Sequence, residues 1–273
     1  MKQIDDIKEI QKVLFDALCY FDSVCRREGI TYYLSNGTLL GAVKYGAFIP
    51  WDDDVDVVLP RKDYQRLVSL TEVSNGEYRL LCKEQVPAWR MPYAKLSCER
   101  TALVEGQYDF GAAFGLSVDI FPLDAWHPCR PFARCEAFLS DVRKRMLVCA
   151  IGGDFKTNKT GLKKFILKFI WRRGKRLGYA RVLQKIEASV ARAQKRKPTY
   201  IGCLAWCCHR ENEVLPATLF QAVQEVSFCG RTFPVFSGYI SYLDSLYGNW
   251  RRELPPEQQH SNHEIKVWWK DAD

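Results

Sequence analysis

Two aspartates of this 273-residue chain alternate at a spacing that suits the binding of a divalent cation. Asp54 and Asp56 belong to the segment 54–59, which has the β-branched composition of a strand. Because alternate side chains of a strand project from the same face, both carboxylates would lie side by side. Their repulsion is relieved by a cation, and Mg²⁺ typically takes one or two protein carboxylates. The pair predicts a metal site, which Asp52 joins if the strand begins early enough.

Other interpretations of the acidic run 52–56 stay open. It could be a solvated loop or a structural calcium loop, although an EF-hand loop needs a wider ladder of oxygens and a closing Glu. Asp53 would point away from its neighbours, and we assign it no role in catalysis. Asp119 lies in the otherwise apolar segment 117–121, and an adjacent strand could bring it to the same metal. We therefore take Asp54, Asp56 and Asp119 as the candidate catalytic residues.

A glycine turn lies just upstream of the acids. Residues 30–34 have strand composition and run into Ser-Asn-Gly-Thr at 35–38, a turn and helix-cap signature. The backbone N–H groups, the hydroxyl and the helix N-terminus of such a turn suit a phosphate group. We therefore expect Gly37 and Thr38 to contact the phosphates of a substrate. A glycine turn followed by Asp-x-Asp indicates a site for a metal ion and a phosphate group more specifically than either motif alone.

The same residues resemble a known family. Residues 33–44, YLSNGTLLGAVK, continued by FIPWDDDVDV at 48–57, are similar to the signature of LicD-type phosphotransferases, which fukutin-related proteins share. The resemblance continues at residues 118–124, 246–250 and 254–256 and at His260, so that it leaves only the basic middle of the chain poorly covered. Asn249-Trp250 departs from the polar residues that often follow the Tyr-Gly of relatives.

This resemblance implies a nucleotidyltransferase fold and a reaction. Phosphocholine or another phospho-alcohol would move from a CDP-linked donor, such as CDP-choline, to a cell-surface glycan or its lipid-linked precursor. Asp54 and Asp56 match the family's metal pair, Asp119 its third acid, and Gly37 and Thr38 its glycine turn. With Asp52 they form the expected metal and phosphate site, with Mg²⁺ as the cofactor and Mn²⁺ as an alternative. The partners expected do not include nucleic acid.

Several further residues are candidates with a plainer alternative. Lys95 lies in a strand-like segment and could bind phosphate or reach into solvent. Lys44 flanks the acidic motif, and His260 has a family-like position, although surface charge and an idle loop histidine are the commoner explanations. Trp51, Tyr33 or Trp89 could offer a cation–π face to a choline head group, or could simply pack.

The pattern of apolar residues predicts the elements that position these groups. An amphipathic helix should run from Ile4 to about Gly29, and short helices are expected at 39–44, from 63 and at 239–247. Strands are expected at 78–82, 93–97, 102–105, 116–121 and within 226–236. The predicted fold is therefore α/β (α+β), a nucleotidyltransferase-like mixed β-sheet flanked by helices.

The middle of the chain differs from the rest in composition and in predicted secondary structure. Long helical stretches rich in Lys and Arg predict a basic helical insertion at 131–200, between a catalytic core at 1–130 and a C-terminal part, 201–273, that completes it. Within it, Leu162, Phe165, Ile166, Phe169 and Ile170 form one helical face while basic residues line another. The basic helix 161–176 could be an ordinary packed helix with a solvated side or could touch an anionic membrane.

Composition limits the partners and the compartment. The formal net charge of +8 favours an anionic partner. The charged first residues lack a secretory signal, and no stretch is apolar enough to span a bilayer. We therefore expect a cytoplasmic protein, which either stays in solution or acts at the inner face of the membrane. The eleven cysteines are expected to be mostly reduced, although Cys203, Cys207, Cys208 and His209 could gather around zinc.

Two competing functions use the same features differently. An enzyme of the same fold could transfer a whole nucleotide to a small molecule or a protein, with the same metal chemistry. A non-catalytic, membrane-associated scaffold could instead use the basic helices, although the intact Gly-Thr and Asp-x-Asp motifs argue against it.

Overall fold

A computed structural model describes residues 2–152, 155, 157, 159–261 and 264–270. This part of the chain contains six α-helices: α1 (Ile7–Glu28), α2 (Asn36–Tyr45), α3 (Arg61–Ser69), α4 (Arg130–Ala150), α5 (Gly161–Ala193) and α6 (Tyr239–Tyr247). Its strands are β1 (Lys2–Ile4), β2 (Tyr33–Leu34), β3 (Val55–Pro60), β4 (Tyr78–Leu81), β5 (Ala94–Cys98), β6 (Thr101–Glu105), β7 (Ser117–Ala125), β8 (Tyr200–Gly202), β9 (Leu215–Pro216), β10 (Val223–Phe228), β11 (Arg231–Phe236) and β12 (Ile265–Trp269).

The central sheet has the strand order β2-β3-β7-β5-β4, and β8 and β9 extend it beside β7. β3 and β7 run parallel, whereas β2, β5 and β4 pair antiparallel with their neighbours. Val55, Val57, Val118 and Ile120 of the two parallel strands are buried, which explains their β-branched composition. The predicted mixed α/β sheet flanked by helices is confirmed.

The first helix packs its apolar residues against β5 and β7. Asp6 caps it, because its carboxylate accepts a hydrogen bond from the Lys8 N–H, and Gly29 ends it in the left-handed conformation at φ 60°. The prediction that the helix starts at Ile4 is wrong. Ile4 belongs to β1, whose partner β12 comes from the far end of the chain and gives no local signal.

A second, three-stranded sheet has the order β1-β12-β6. β12 lies in its centre and pairs antiparallel with both neighbours, so that residues 2–4 and 265–269 of the chain meet. Val267 of β12 faces the core and is buried, whereas Lys266 is exposed. A hairpin of β10 and β11 contributes Phe228, Phe233 and Phe236 to the core.

The basic middle of the chain forms two helices that pack on each other. At Gly174 of α5 a Cβ atom would lie 2.5 Å from the carbonyl oxygen of Met146, so only glycine allows this approach to α4. Gly178, at φ 73° and ψ 161°, interrupts α5 and separates its first half from its second. No helix in the described ranges is long and apolar enough to cross a membrane.

Candidate active site

Three charged side chains stand in one row across the central sheet. The parallel register pairs Asp56 of β3 with Asp119 of β7, and the antiparallel register pairs Asp119 with Lys95 of β5. The Lys95 ammonium donates to Asp119 Oδ1 in a buried ion pair. The predicted convergence of Asp56 and Asp119 on adjacent strands therefore occurs, with a lysine beside them.

The acids before β3 take positions that the alternation rule did not anticipate. β3 begins at Val55, so Asp52, Asp53 and Asp54 precede the strand, and the early start that would bring Asp52 onto its face does not occur. A Cβ atom on Gly37 would lie 2.8 Å from Asp52 Oδ2, so this carboxylate packs closely against the glycine turn. Asp53, expected to point away, lines the same cleft as Asp54 and Asp56 and accepts a hydrogen bond from Ser261.

The glycine turn holds the strand that carries Asp56. Thr38 is buried, and its hydroxyl oxygen accepts a hydrogen bond of 2.8 Å from the backbone N–H of Asp56. The Asn36 side chain donates to the Asp56 carboxylate. The Tyr242 hydroxyl of α6 in turn donates to Asn36 Oδ1 over 2.8 Å. These contacts fix Asp56 from both its backbone and its side chain.

The electrostatics of the row favour a bound cation. Burial raises the pKa of Asp56 well above its usual value, and the neighbouring charges of Asp54, Asp119 and Asp52 raise it further, while the hydrogen bond from Asn36 lowers it. The Asp119 charge raises the pKa of Lys95 against the opposing effect of burial. Gathered carboxylate oxygens of this kind are the donor set that Mg²⁺ prefers, so the residues fit the ion.

A metal site can also be recognised by side chains that already surround a common point, which is a stricter test than the presence of suitable oxygen atoms. Among the described residues, no three His, Cys, Asp or Glu side chains already stand as a metal-binding group. Asp119 instead has its ion pair with Lys95. The metal roles predicted for Asp52, Asp54, Asp56 and Asp119 stay predictions.

The acids open onto a cleft of about 230 Å³ with aromatic walls. Tyr93, Phe114, Phe121 and Trp206 line it together with Glu105 and Ile265. Larger cavities of about 510 and 490 Å³ lie beside α3 and the second half of α5. Arg61 is the charged residue that lines both of these cavities, and its guanidinium donates to Asp124 over 2.6 and 2.8 Å. We assign the chemistry to the smaller cleft, because it holds the gathered carboxylates.

Two predicted binding residues lie elsewhere. The Lys44 ammonium donates to the carbonyl oxygens of Trp250 and Arg252 and forms an ion pair with Glu253, so it ties α2 to the loop that follows α6. His260 is exposed, and its Nδ1 lies 3.0 Å from the carbonyl oxygen of Ser261, the residue that bonds Asp53. The structure does not bring Lys44 or His260 into the lining of the cleft.

The cysteine cluster uses its thiols in other ways. Cys207 and Cys208 donate from Sγ to the carbonyl oxygens of Arg210 and Trp206. Glu213 accepts hydrogen bonds from the backbone N–H groups of Cys208 and His209, and burial raises its pKa to about 7. Within the described part of the chain these residues do not form a metal-binding group.

Some residues of the site had no reliable signal in the sequence. Asn36 adopts a left-handed backbone at φ 44°, which asparagine tolerates better than most residues, so its place before Gly37 was a clue. Tyr242 and Trp206 come from distant segments and had none. Of the rings expected to face a choline group, Tyr33 and Trp89 are buried in the core, and the Trp89 indole N–H bonds the Tyr93 carbonyl oxygen.

Comparison with known proteins adds an independent observation. Residues 29–129 match the family model described as LicD/FKTN/FKRP, nucleotidyltransferase domain. The chain is 28% identical over 95% of its length to lipopolysaccharide cholinephosphotransferase LicD of Haemophilus influenzae, of which the match covers 96%. Ribitol 5-phosphate transferase FKRP of Homo sapiens is 38% identical over 52 residues, which are 19% of this chain and 10% of that protein.

One further match is local. Mannosyltransferase regulator 4 of Saccharomyces cerevisiae is 38% identical over 64 residues, 23% of this chain and 5% of that protein. The family resemblance expected from the glycine turn and the aspartates is confirmed, and the matched range contains Gly37, Asp56 and Asp119.

Proposed function

We propose that this chain, a phosphotransferase carrying a LicD-family nucleotidyltransferase domain, moves a phospho-alcohol such as phosphocholine from a CDP-linked donor to a glycan. The observation that carries the proposal is the row of Asp56, Asp119 and Lys95 across three strands beneath the glycine turn. The near full-length similarity to a lipopolysaccharide cholinephosphotransferase supports the choice of phosphocholine and of a glycan acceptor.

Asp54, Asp56 and Asp119 are the residues that would hold Mg²⁺, or Mn²⁺ in its place. A bound divalent ion supplies charge neutralisation for a diphosphate and a leaving phosphate group. Asn36 orients Asp56, and Lys95 fixes Oδ1 of Asp119. The second oxygen of Asp119 would complete metal binding or accept the proton of the attacking hydroxyl group.

The aromatic walls of the cleft suit the alcohol of the donor. A quaternary ammonium group is attracted to the faces of aromatic rings, and Tyr93, Phe114, Phe121 and Trp206 all line the cleft beside the acids. Their proximity to Asp56 would place the choline end of the donor next to the phosphate that is transferred.

The proposal also includes a place of action. A glycan built on a lipid carrier is held at a membrane, and a basic protein is attracted to the anionic lipids of that surface. We place the enzyme in the cytoplasm at the inner face of the membrane, with peripheral contact through the basic helix 161–176.

Product analysis with purified protein tests the reaction. The protein is incubated with Mg²⁺, CDP-choline or another CDP-alcohol, and candidate glycans. Transfer joins the phospho-alcohol to the acceptor oxygen and releases CMP, which is measured together with the modified glycan. Asp54→Asn and Asp56→Asn should abolish CMP release while circular dichroism stays unchanged, and Asp16→Asn, an exposed change on α1, should be silent.

Other outcomes separate the competing functions. Release of pyrophosphate from a nucleoside triphosphate, with the nucleotide appearing on an acceptor, would replace the proposal by nucleotidyl transfer. Absence of CMP and of pyrophosphate with every donor, although the protein is folded, would leave the scaffold as the better account. Equal CMP release by wild type and Asp56→Asn would contradict the catalytic role of the row.

A further inference from the structure

The first half of α5, residues 161–177, exposes a stripe of large apolar side chains. Leu162, Phe165, Ile166 and Phe169 keep 74%, 68%, 48% and 63% of their surface exposed. Their spacing of three and four residues places them along one side of the helix. The expectation of an ordinary packed helix is therefore wrong for these four residues, and of the predicted face Ile170 alone packs against the core.

The core supports the second part of this helix, which follows the stripe. Another side of the same helix is docked through Ile170, Leu177 and Gly174, and at Gly174 the backbones of α5 and α4 come into close contact. The Trp171 ring lies 6.1 Å from that of Phe155. The helix is therefore anchored from Ile170 onward, and residues 161–169, which carry the stripe and are exposed apart from a partly buried Leu167, project from that anchor.

The charges around the stripe all have one sign. Between Gly161 and Ile186 the chain contains nine Lys and Arg residues and no Asp or Glu. At 100° per residue, Lys164, Lys168 and Arg172 lie on the side between the stripe and the docked side, and Arg173 and Arg176 fall within the arc of the stripe, on the turns that follow Phe169. A protein groove complementary to so uniform a surface would need acids on every side, whereas an anionic bilayer supplies phosphates in all directions.

We infer that residues 161–177 form an amphipathic helix that lies flat on an anionic lipid bilayer. Leu162, Phe165, Ile166 and Phe169 enter the boundary between head groups and acyl chains, and the flanking Lys and Arg side chains pair with lipid phosphates. Gly178 interrupts the helix, so the contacting half has its own direction relative to the half that packs in the core.

This inference concerns binding and is independent of the chemistry at Asp56. It deepens the peripheral contact of the proposed function by naming the side chains that enter the bilayer, and it rests on that function only for its purpose, which is to keep the cleft near an acceptor carried on lipid. Because the helix lies outside the cleft lining, changes in it leave the transfer of phosphocholine to a water-soluble glycan unaltered. Vesicle binding therefore tests the inference, and CMP release tests the proposed reaction, so that the failure of one is distinguished from the failure of the other.

Co-sedimentation of the whole protein with vesicles tests the inference. The probes are vesicles of phosphatidylcholine alone and of phosphatidylcholine mixed with phosphatidylglycerol. Wild type should sediment with the anionic vesicles and bind the neutral ones weakly, and salt should weaken binding. The double variant Phe165→Ser, Phe169→Ser should lose more than about tenfold in partitioning, because both rings leave the bilayer.

Matched variants distinguish the two parts of the contact. Lys164→Gln with Lys168→Gln and Arg172→Gln should remove the preference for anionic vesicles, and Val223→Ser, which is equally exposed but lies on β10, should bind like wild type. Circular dichroism checks that each variant is folded. The inference is overturned if wild type binds neither vesicle, if it does not distinguish them, or if the Phe165 and Phe169 variant binds like wild type.

Discussion

At the scale of the residue, Asp56 is a carboxyl group in a place that disfavours its charge. It is buried, faces Asp54 and Asp119, and has a raised pKa. Natural proteins accept such local destabilisation where chemistry needs it. The cost is relieved when a cation joins the cluster, so the stability of the fold and the function of the site are opposed at this residue.

Asp56→Asn should therefore make the protein more stable and inactive. In a buffer with chelator the variant should melt above wild type, because the amide removes a buried charge, and the transfer rate should fall on the order of 10²–10⁴-fold. Added Mg²⁺ should raise the melting temperature of wild type more than that of the variant. Differential scanning calorimetry measures both effects, and a variant that melts below wild type in chelator would contradict this account.

Glu213 gives a prediction about pH. Its pKa of about 7 lies above the usual glutamate value of 4.5, so between these values the folded state binds a proton that the unfolded state has released. The free energy of unfolding should consequently fall as pH rises from about 4.5 to about 7, by about 3 kcal/mol in all.

Glu213→Gln should remove this fall. One oxygen of Glu213 accepts both backbone hydrogen bonds, and a glutamine amide oxygen can do the same. Urea unfolding should find the variant close to wild type at pH 5 and more stable at pH 8. Parallel pH profiles for the two proteins would exclude Glu213 as the source.

At the scale of the element, the junction of α2 with β3 positions the site. Thr38 is the third residue of α2, and its hydroxyl oxygen accepts a hydrogen bond from the N–H of Asp56 in the strand. Together with the Asn36 side chain, this contact links the glycine turn to the row of Asp56, Asp119 and Lys95. Thr38 thus acts as a positioning residue, whatever its contact with phosphate.

Thr38→Val should lower both stability and turnover. The Asp56 N–H loses its acceptor in the interior, which costs about 1–3 kcal/mol, and the displaced carboxylate lowers kcat by about 10- to 100-fold. Thr38→Ser keeps the acceptor and should recover most of each loss. Unfolding curves and steady-state kinetics of the two variants give the comparison, and a serine variant as poor as valine would show that the methyl group matters instead.

The elements themselves follow from the sequence to different degrees. α1, α6 and the strands that carry Asp56, Asp119 and Lys95 have clear periodicity or β-branched composition, so they were predicted within a few residues. β1, β8, β9 and β12 were not predicted, because short strands are stabilised by partners remote in sequence. The contacts of Lys44 could not be predicted either, because they are made with the loop after α6, which is remote in sequence.

At the scale of the whole molecule, the three-stranded sheet joins distant parts of the chain to the cleft. β12 pairs with β1 and β6, and Ile265 at its start lines the cleft beside Glu105 of β6. The part of the lining that Ile265 and Glu105 contribute therefore depends on the pairing of residues 265–269 with β1 and β6. Nothing in the local composition of these residues marks them as part of an active site.

Val267→Asp should detach this wall. Val267 is buried, and an unpaired charge there costs more than about 2 kcal/mol. Hydrogen exchange should become faster at residues 2–4 and 101–105, and the Michaelis constant for the donor should rise. Lys266→Asp, on the exposed side of the same strand, is the matched control. Unchanged exchange at residues 2–4 in the Val267 variant would contradict a shared sheet.

The position of β12 also has a consequence for synthesis in the cell. A ribosome delivers the glycine turn, the aspartates and the aromatic rings long before residues 265–269 leave the exit tunnel. A nascent chain can already display the carboxylates while the last strand of the wall is still being translated. The cleft therefore lacks part of its lining until β12 has emerged and has paired with β1 and β6.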